Sequence, residues 1–429
     1  MAISPPIASC SLTLSPVEVA ARLADRPGLV FLDSALESPR PRLSLVAARP
    51  SKLLRGRTAG DWEALAAELS ARQVSPSAAF PSGWPAGFAA GWAEYDGAFC
   101  FGFYDSLLLY RHPEKERPGQ WHAIGPEAAA LAAEVARLPA PPTPAPPEGL
   151  FFRHEMSREG YIERVVRAQQ FIAQGDIYQV NLTHRLASPW PAAAGPQEAF
   201  ALYRALRHAS PAPYGAYLRF PQRTILSSSP ELFLQISGRR IRTRPIKGTR
   251  PRKADPAADR QSAEELLASP KERSELIMIT DLERNDLGQI CEYGSVTVPG
   301  MLQLETYEQI FHLVSTIEGV LRPEIGAVEA FRRCFPGGSI TGAPKKRAME
   351  IIAELEPTPR GPYTGAIGYF GFNGESQFNI TIRTLFLEKG EAHFHVGAGI
   401  VADSIPPQEW QETLDKAAGI LKAARQRPM

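Results

Sequence analysis

The sequence predicts an α+β protein in which large, mostly antiparallel β-sheets pack face to face, with helices on the outside and two intimately associated subdomains. Two observations support this fold class. Of the 429 residues, 44% are hydrophobic, which is close to the globular average and sufficient for a sizeable core. Short strand-like segments occur in clusters separated by a few long helices, and this pattern favours antiparallel sheets over a regular β–α–β alternation.

Charge and hydropathy exclude several classes of function. The 47 basic and 46 acidic side chains leave a formal net charge of +1, so we expect no nucleic-acid partner and no attraction to an anionic membrane. No run of about 20 apolar residues could span a bilayer, and the first residues do not resemble a secretory signal. The four cysteines are widely spaced, which favours reduced thiols and a cytoplasmic location.

A proline-rich segment divides the chain into two parts. Residues 139–148 include the stretch PAPPTPAPP, which can form neither a helix interior nor a sheet ladder. We therefore predict an α+β subdomain over residues 1–138, an extended connector over 139–148, and a catalytic domain over 149–429. In the first part, Leu29–Leu32 is typical of a strand and Ala128–Leu138 of a helix.

The second part begins with a helix followed by a strand. Apolar residues recur at helical spacing from Tyr161 to Ile172, and Gly175 is suited to cap that helix. Polar and apolar residues alternate from Ile177 to Leu186, as in a strand. Further strands are predicted at Gly215–Phe220, Thr224–Leu226, Leu232–Ile236, Arg240–Ile246, Tyr363–Phe372, Gln377–Glu388 and Ala392–Val401.

A predicted helix that starts at Ser269 and Pro270 contains a pair of glutamates. Serine at the N-cap and proline at the first helical position are typical of a helix start, which places Glu272 and Glu275 on one face. Glu272 could simply complete a capping box with Ser269. Glu275 is followed by an apolar run that indicates burial, where an isolated carboxylate would be costly.

A second helix, from Gln408 to Leu421, repeats the arrangement with Glu409 and Glu412. Both lie away from the apolar stripe of this helix, so a solvated face would also explain them. If the two helices converge, however, four carboxylates require a cation, and hard oxygen ligands suit Mg²⁺.

Two other segments have possible roles in binding or catalysis. Residues 242–252 contain five cations, among them Lys247. Crowding by arginines together with burial can lower the pKa of a lysine and free an amine nucleophile. Gly337–Lys345 leads into a helix without matching the phosphate-loop pattern, so it predicts either an anion site made of backbone amides or a tight turn.

Taken together, these segments resemble the chorismate-utilising enzymes, a family that includes anthranilate, aminodeoxychorismate, isochorismate and salicylate synthases. The matching strings occur in the family's order across about 250 residues. They are GDIYQVNLT, SSSPELF, RPIKGTRPR, KERSELIMITDLERNDLG, HLVSTIEG, GGSITGAPKKRAMEIIAELE, RGPYTGAIGY, ITIRT, GAGIV and QETLDKA. The first part matches more loosely, through FLDSA at Phe31–Ala35.

Two positions distinguish the branches of the family. Around Lys247 this chain has the sequence P-I-K-G-T, which resembles the aminodeoxychorismate synthases. Anthranilate synthases have a sequence similar to P-I-A-G-T at the same place. Isochorismate and salicylate synthases have a lysine that activates water where this chain has Gln179. The resemblance therefore implies the aminodeoxychorismate synthase branch, which makes 4-amino-4-deoxychorismate for folate synthesis. Anthranilate synthesis and a catalytically silent, amino-acid-binding subunit are the alternatives.

The resemblance also implies roles for individual residues. Lys247 would attack ring carbon 2 of chorismate while protonated Glu231 helps the 4-hydroxyl leave, and His312 would lie beside the reacting ring. The implied Mg²⁺ ligands are Glu275 and Glu412, supported by Glu272 and Glu409. The implied substrate-binding residues are Gln179, Thr249, Ser339, Tyr363, Arg383, Gly397, Ala398, Gly399 and Lys416.

The chain contains no recognisable source of ammonia. The expected glutamine amidotransferase needs a cysteine in a G-x-C-x-G elbow, and none of the four cysteines has those neighbours. We therefore expect chorismate and ammonia as substrates, and a separate glutamine amidotransferase subunit as partner.

Overall fold

The computed structural model describes residues 5–37, 42–75, 80–114, 117–141 and 145–426. The described residues form ten α-helices, a short 3₁₀ turn at Gly338–Ile340, and two large β-sheets. The helices are α1 (Pro16–Arg22), α2 (Ala59–Ala71), α3 (Ala128–Arg137), α4 (Arg158–Ala173), α5 (Pro196–Ala209), α6 (Pro256–Ala268), α7 (Pro270–Gly288), α8 (Ala327–Cys334), α9 (Lys345–Leu355) and α10 (Pro406–Ala423).

Eight strands precede the proline-rich segment, and fourteen follow it. The first eight are β1 (Ile7–Cys10), β2 (Leu29–Asp33), β3 (Leu43–Ala47), β4 (Lys52–Gly56), β5 (Phe88–Ala93), β6 (Phe99–Tyr104), β7 (Leu107–Arg111) and β8 (Gln120–Ile124). The others are β9 (Arg153–His154), β10 (Gln179–Pro189), β11 (Tyr214–Phe220), β12 (Arg223–Ser229), β13 (Leu232–Ser237), β14 (Arg240–Arg244), β15 (Ile246–Pro251), β16 (Thr297–Thr306), β17 (Ile310–Val320), β18 (Gly342–Ala343), β19 (Ala366–Gly371), β20 (Glu375–Ile380), β21 (Thr384–Glu388) and β22 (Glu391–Ile400).

The strands form one twelve-stranded and one ten-stranded sheet, and all their pairings are antiparallel. The larger sheet has the order β1-β8-β7-β3-β2-β11-β12-β21-β22-β10-β18, with β9 also paired to β10. The smaller sheet has the order β15-β17-β14-β13-β20-β19-β5-β6-β4, with β16 also paired to β17. Because local contacts alone do not determine which strands become neighbours, this order could not be predicted from the sequence pattern.

Side-chain alternation explains why the two sheets pack face to face. In β2, Val30 joins a buried cluster that also contains Phe88 and Trp92 of the smaller sheet. The next residue, Phe31, points to the other side and packs in a different cluster with helices α1, α3, α5 and α10. Since successive side chains of a strand point to opposite faces, each inner strand contributes to both layers. The predicted α+β fold class is confirmed.

Helices also cover the outer face of the smaller sheet. Trp62 of α2 and Phe331 of α8 pack there against Phe101 and Phe378. A further cluster joins α4 and α9 to the end of the larger sheet formed by β10 and β22. The result is four layers, with helices on both sides of a pair of sheets.

Both sheets contain strands from before and after the proline-rich segment. Strands β1, β2, β3, β7 and β8 form one end of the larger sheet, while β4, β5 and β6 form one end of the smaller sheet. Residues 142–144 of the predicted connector lie outside the described residues. The division at 138 and 148 stays a prediction. None of the described helices is long and apolar enough to cross a membrane.

Most predicted elements are present, but three strand predictions were wrong in extent. Gln377–Glu388 is not one strand, because the chain leaves the smaller sheet after β20 and enters the larger sheet as β21, with Arg383 between them in a left-handed conformation (φ +50°). Arg240–Ile246 is divided into β14 and β15 at Pro245, which has no amide hydrogen for a sheet ladder. Tyr363 lies in a turn before β19.

Candidate active site

Lys247 lies in β15 at one edge of the smaller sheet, where β15 pairs with β17. Its side chain is only 14% exposed. The Nζ atom lies 3.5 Å from the carbonyl oxygen of Ser339, to which it donates a hydrogen bond, and 3.7 Å from Oε2 of Glu275. The lysine amine therefore reaches both the 3₁₀ turn and helix α7.

Gly399 allows the two sheets to meet closely at this point. A β-carbon at Gly399 would lie 2.5 Å from Nε2 of Gln179 and 3.5 Å from Nζ of Lys247. Gln179 begins β10, which pairs with β22, where Gly399 lies opposite Asn181. The absence of a side chain at Gly399 therefore leaves room for the Gln179 amide beside the lysine.

Helix α7 starts as predicted and presents its glutamates to this region. Ser269 caps the helix, since its Oγ accepts a hydrogen bond from the Glu272 amide at 3.4 Å, and Pro270 follows. The Glu272 side chain makes no capping-box bond back to Ser269, and Oε1 lies 3.8 Å from Arg250. Glu275 is buried. Burial raises the pKa of Glu275, and the positive charges of Lys247 and Lys271 partly oppose that increase.

Helix α10 brings the second pair of glutamates to the same region. Glu409 is not on a solvated face, because its side chain is only 2% exposed and Lys271 of α7 donates a hydrogen bond to its Oε1 at 3.1 Å. Glu412 is partly buried and pairs with Lys416 at 2.7 Å. Burial opposes ionisation of Glu412, but Lys416 and the other nearby lysines still lower its pKa. The two helices therefore converge, as the cation hypothesis requires.

The carboxylates fit a divalent cation in chemistry, although they do not already enclose one. All four donors are hard oxygen ligands, and Oε2 of Glu409 is buried without a hydrogen-bond partner among the described residues. Nowhere in the described ranges do three histidine, cysteine, aspartate or glutamate side chains converge closely enough to hold a metal. Each of the four carboxylates instead faces a basic side chain.

Glu231 lies between β12 and β13, close enough to Lys247 for their charges to interact. It is buried, and burial raises its pKa, while the neighbouring Ser339 and Lys247 partly oppose the increase. The backbone carbonyl of Glu231 accepts a hydrogen bond from the Ile380 amide at 3.1 Å, which fixes the residue against β20. A carboxyl group with a raised pKa is suited to donate a proton.

His312 and Thr249 lie opposite each other on β17 and β15. The His312 Nδ1 and the Thr249 hydroxyl are 2.9 Å apart and hydrogen-bonded, which orients the ring. Burial, with a smaller contribution from Arg383, lowers the pKa of His312 to about 3. The imidazole is therefore neutral at pH 7, and its Nε2 is buried without a hydrogen-bond partner among the described residues.

Arg383 supplies a further charged group close to His312 and Glu231, and Tyr363 lies beside His395. Burial lowers the pKa of Arg383, and the nearby charge of Glu231 opposes this effect. The Arg383 guanidinium forms no ion pair with any described residue. Tyr363 is buried and its ring stacks on that of His395, with centroids 5.0 Å apart. An unpaired, partly buried guanidinium is suited to bind a carboxylate.

The glycine-rich end of β22 is paired with another strand on one side only. Gly397 and Ala398 pair with Thr183 and Leu182 of β10, whereas β21 on the other side pairs with β22 only as far as His393. Backbone groups of residues 397–399 on that side are therefore outside the sheet ladder. Lys416 donates a hydrogen bond to the Gly397 carbonyl oxygen at 2.8 Å, so it is held against this end of the strand.

The strongest indication of a ligand site is a set of buried polar atoms that lack hydrogen-bond partners within the described ranges. Five of the buried unpaired atoms belong to segments that also contain predicted site residues: Oε1 of Gln179, Oε1 of Glu231, Oγ of Ser339, Nε2 of His312 and Oγ1 of Thr381. Buried polar groups are almost always paired, so the unpaired atoms of Gln179, Glu231 and Ser339, which lie near Lys247, point to a polar ligand or to ordered water.

Sequence reasoning assigned no role to three residues of this region. Lys271 and Glu283 lie in the string KERSELIMITDLERNDLG, and Thr381 lies in ITIRT, but their residue types carry no separate signal. Glu283 and Thr381 are buried among other polar groups, and Lys271 contacts a residue 138 positions away. Such contacts depend on the tertiary fold.

A cavity also lies elsewhere, between the two sheets. It has a volume of about 660 Å³, and Asp33, Trp84, Tyr214 and Asn379 contribute to its lining. None of the predicted site residues lines it. The candidate active site is therefore defined by its side chains, and not by the size of a cavity.

Sequence relatives of the chain include anthranilate and aminodeoxychorismate synthases. The chain is 46% identical over 311 residues to an anthranilate synthase component 1 of Haloarcula marismortui, covering 72% of this chain and 63% of that protein. It is 44% identical over 272 residues to the aminodeoxychorismate synthase component 1 of Bacillus subtilis, covering 63% of this chain and 57% of that protein. The chain thus spans roughly three-fifths of the length of these curated relatives.

The fold and the sequence also match at the level of the whole chain. A crystal structure of anthranilate synthase component I from Streptococcus pneumoniae superposes with a TM-score of 0.76 at 30% identity, covering 90% of this chain and 93% of that one. Residues 50–422 match the family described as chorismate binding enzyme. Since this match extends over most of the 429 residues and includes every residue of the candidate site, the chain belongs to the chorismate-binding enzyme family.

Proposed function

We propose that this protein is an aminodeoxychorismate synthase that converts chorismate and ammonia to 4-amino-4-deoxychorismate, a precursor of p-aminobenzoate and folate. The observation that carries the proposal is the lysine at position 247, buried within 4 Å of Glu275 and surrounded by polar atoms without partners. Anthranilate synthesis needs no amine at this point, so a buried lysine here favours the aminodeoxychorismate branch.

The proposed reaction consists of two displacements through the conjugated ring. The neutral amine of Lys247 attacks ring carbon 2, the double bonds shift, and the 4-hydroxyl leaves as water with a proton from Glu231. Ammonia then adds at carbon 4, the double bonds shift back, and Lys247 leaves carbon 2. The ammonia nitrogen gives up a proton, which restores Glu231. Water is the only group lost.

The other side chains bind and orient the substrate. Arg383, Tyr363, Lys416 and the free backbone edge of residues 397–399 are proposed to hold its carboxylates. The neutral His312 and the Ser339 hydroxyl would contact the ring, and Gln179 and Thr249 would position the amine and the imidazole. When bound, Mg²⁺ would be held by Glu275 and Glu412, supported by Glu272 and Glu409, and would neutralise the ring carboxylate.

A separate glutamine amidotransferase subunit is part of the proposal, because the relatives are named as component 1. A cytoplasmic location is also proposed. All four cysteines are free thiols, which is typical of proteins from reducing compartments.

Product analysis tests the proposal directly. The purified chain is supplied with chorismate, ammonium and Mg²⁺, and the products are identified by mass spectrometry. We expect an aminated product that retains the enolpyruvyl group. Release of pyruvate with an aromatic amine would instead identify an anthranilate synthase. No turnover at saturating ammonium and Mg²⁺ would favour the silent, amino-acid-binding subunit.

Substitution of the lysine tests the mechanism. We expect Lys247→Ala to abolish amination or divert it to another product, with a loss of more than roughly a thousandfold, since removing a nucleophile usually has a large effect. Lys253→Ala is the matched control, because Lys253 is an exposed lysine of the same segment. An unchanged rate and product for Lys247→Ala would refute the nucleophile role.

A further inference from the structure

Lys271 connects the two glutamate-bearing helices. It lies in the first turn of α7, and its Nζ is 3.1 Å from Oε1 of Glu409 on α10. The two partners differ sharply in exposure: the glutamate side chain is 2% exposed and the lysine side chain is 45% exposed. A buried carboxylate is therefore neutralised by an ammonium group that reaches it from the solvent side.

Basic side chains compensate the whole group of carboxylates in the same way. Besides the Lys271 pair, Lys416 lies 2.7 Å from Glu412, Lys247 lies 3.7 Å from Glu275, and Arg250 lies 3.8 Å from Glu272. Each of the four carboxylates thus has one basic side chain within 4 Å. A divalent cation among these carboxylates would be repelled by every ammonium group that stayed in contact with them.

Of the three lysines, Lys271 is the one best able to move away from its carboxylate partner. Lys247 is largely buried, and Lys416 is also held by its hydrogen bond to the Gly397 carbonyl oxygen. The only hydrogen bond of the Lys271 side chain among the described residues is the one to Glu409. Its exposed stem can rotate the ammonium group into water, where it is well solvated.

We propose that Lys271 is a built-in counter-ion that neutralises Glu409 while the site lacks metal and swings into solvent when Mg²⁺ binds. The inference rests on the magnesium site of the proposed function. The lysine competes with the metal for the same carboxylate, so it weakens the apparent affinity for Mg²⁺ and at the same time stabilises the metal-free protein.

Calorimetric titration with Mg²⁺ alone tests the competition. We expect Lys271→Met to bind Mg²⁺ roughly fivefold more tightly than the unsubstituted protein, as loss of one competing ion pair predicts. Methionine keeps much of the apolar stem and removes the charge. Lys422→Met is the matched control, because Lys422 is an exposed lysine near the other end of α10, and its affinity should be unchanged.

Thermal melting separates direct contact from general charge repulsion. In EDTA, Lys271→Met should melt at a lower temperature than the unsubstituted protein, because Glu409 is left buried without its partner. Saturating Mg²⁺ should remove that difference. Lys422→Met should match the unsubstituted protein in both conditions.

The outcomes distinguish failure of this inference from failure of the proposed function. If the unsubstituted protein binds Mg²⁺ and Lys271→Met neither binds it more tightly nor melts lower in EDTA, the counter-ion role is wrong and the metal site stands. If neither protein binds Mg²⁺, the metal site is wrong and the counter-ion role is wrong with it. Tighter binding with unchanged melting in EDTA would also overturn the contact with Glu409.

Discussion

Glu283 is a second buried carboxyl group, close enough to the candidate acid Glu231 for their charges to interact. It lies on the same helix as Glu275, and its Oε2 accepts a hydrogen bond from the Thr243 hydroxyl at 2.7 Å. Burial raises the pKa of Glu283 to about 8, and the negative charges of Glu231 and Asp286 act in the same direction. This side chain is therefore mostly protonated at neutral pH, when an ordinary glutamate is ionised.

The raised pKa predicts how stability depends on pH. The folded protein holds this proton up to about pH 8, whereas the unfolded chain releases it near its ordinary value of 4.5. The stabilising contribution is therefore complete below the unfolded pKa and is lost as the pH rises through the folded one. Glu283→Gln mimics the protonated form, so it should lose less stability over this range. Above pH 8 its free energy of unfolding should exceed that of the unsubstituted protein by a few kcal/mol, at about 1.4 kcal/mol per pKa unit.

Urea denaturation at several pH values from 5 to 9 measures this difference. Glu264→Gln serves as the control, since Glu264 is exposed, and its stability curve should run parallel to that of the unsubstituted protein. Parallel curves for Glu283→Gln would show that Glu283 is ionised in the folded state.

The burial of Glu409 could not be predicted from the periodicity of its own helix. Its distance from the apolar stripe was consistent with either solvent or a cation site. In the structure Glu409 is buried and accepts a hydrogen bond from Lys271 of α7, a residue 138 positions away. The periodicity of one helix reveals its main core face, but a second face covered by a distant part of the chain leaves no periodic signal.

At the scale of elements, strong local signals predicted helices better than strands. The cap residues Ser269 and Pro270 gave the correct start of α7, and Gly175 has the positive φ of +84° expected after α4. The apparent strand over 377–388 failed because its alternation continues through Arg383 while the backbone turns from one sheet to the other. Hydrophobic alternation shows that a segment is extended, but it does not indicate which sheet the segment joins.

Gly399 of β22 lies so close to the Gln179 side chain of β10 that adding a single methyl group should have a measurable effect. In Gly399→Ala, the new β-carbon would lie 2.5 Å from Nε2 of Gln179 and 3.5 Å from Nζ of Lys247, so the amide must move from its place beside the lysine. Because a side-chain end can move cheaply, we expect the free energy of unfolding to change by less than about 1 kcal/mol. The value of kcat/KM should fall roughly a hundredfold, as displacements of about 1 Å in active sites do.

Steady-state kinetics and urea denaturation of the same preparation separate these two effects. Gly288→Ala is the control, because a β-carbon at that end of α7 meets no atom within 4 Å, and both quantities should stay close to those of the unsubstituted protein. Normal kinetics for Gly399→Ala would mean that the Gln179 amide does not position the lysine or the substrate.

At the scale of the whole molecule, the two sheets are joined by an ion-pair network as well as by their apolar core. Arg223 of β12, in the larger sheet, contacts Glu94 at the end of β5, in the smaller sheet, at 2.6 Å, and Glu388 of β21 at 2.9 Å. Burial alone would raise the pKa of Glu388, but His393 and Arg223 lower it to about 2. Both carboxylates therefore contact the same arginine, and Glu388 also contacts His393.

Arg223→Met should destabilise the protein by about 3–5 kcal/mol, because two largely buried carboxylates lose the charge that compensates them. The Arg223 side chain is only 11% exposed and also lies over the ring of Trp92, so solvent cannot replace it easily. Arg284→Met breaks an exposed pair with Asp281 and should cost less than about 1 kcal/mol. Urea denaturation of both variants measures the contrast. Equal losses would mean that the apolar core alone holds the sheets together.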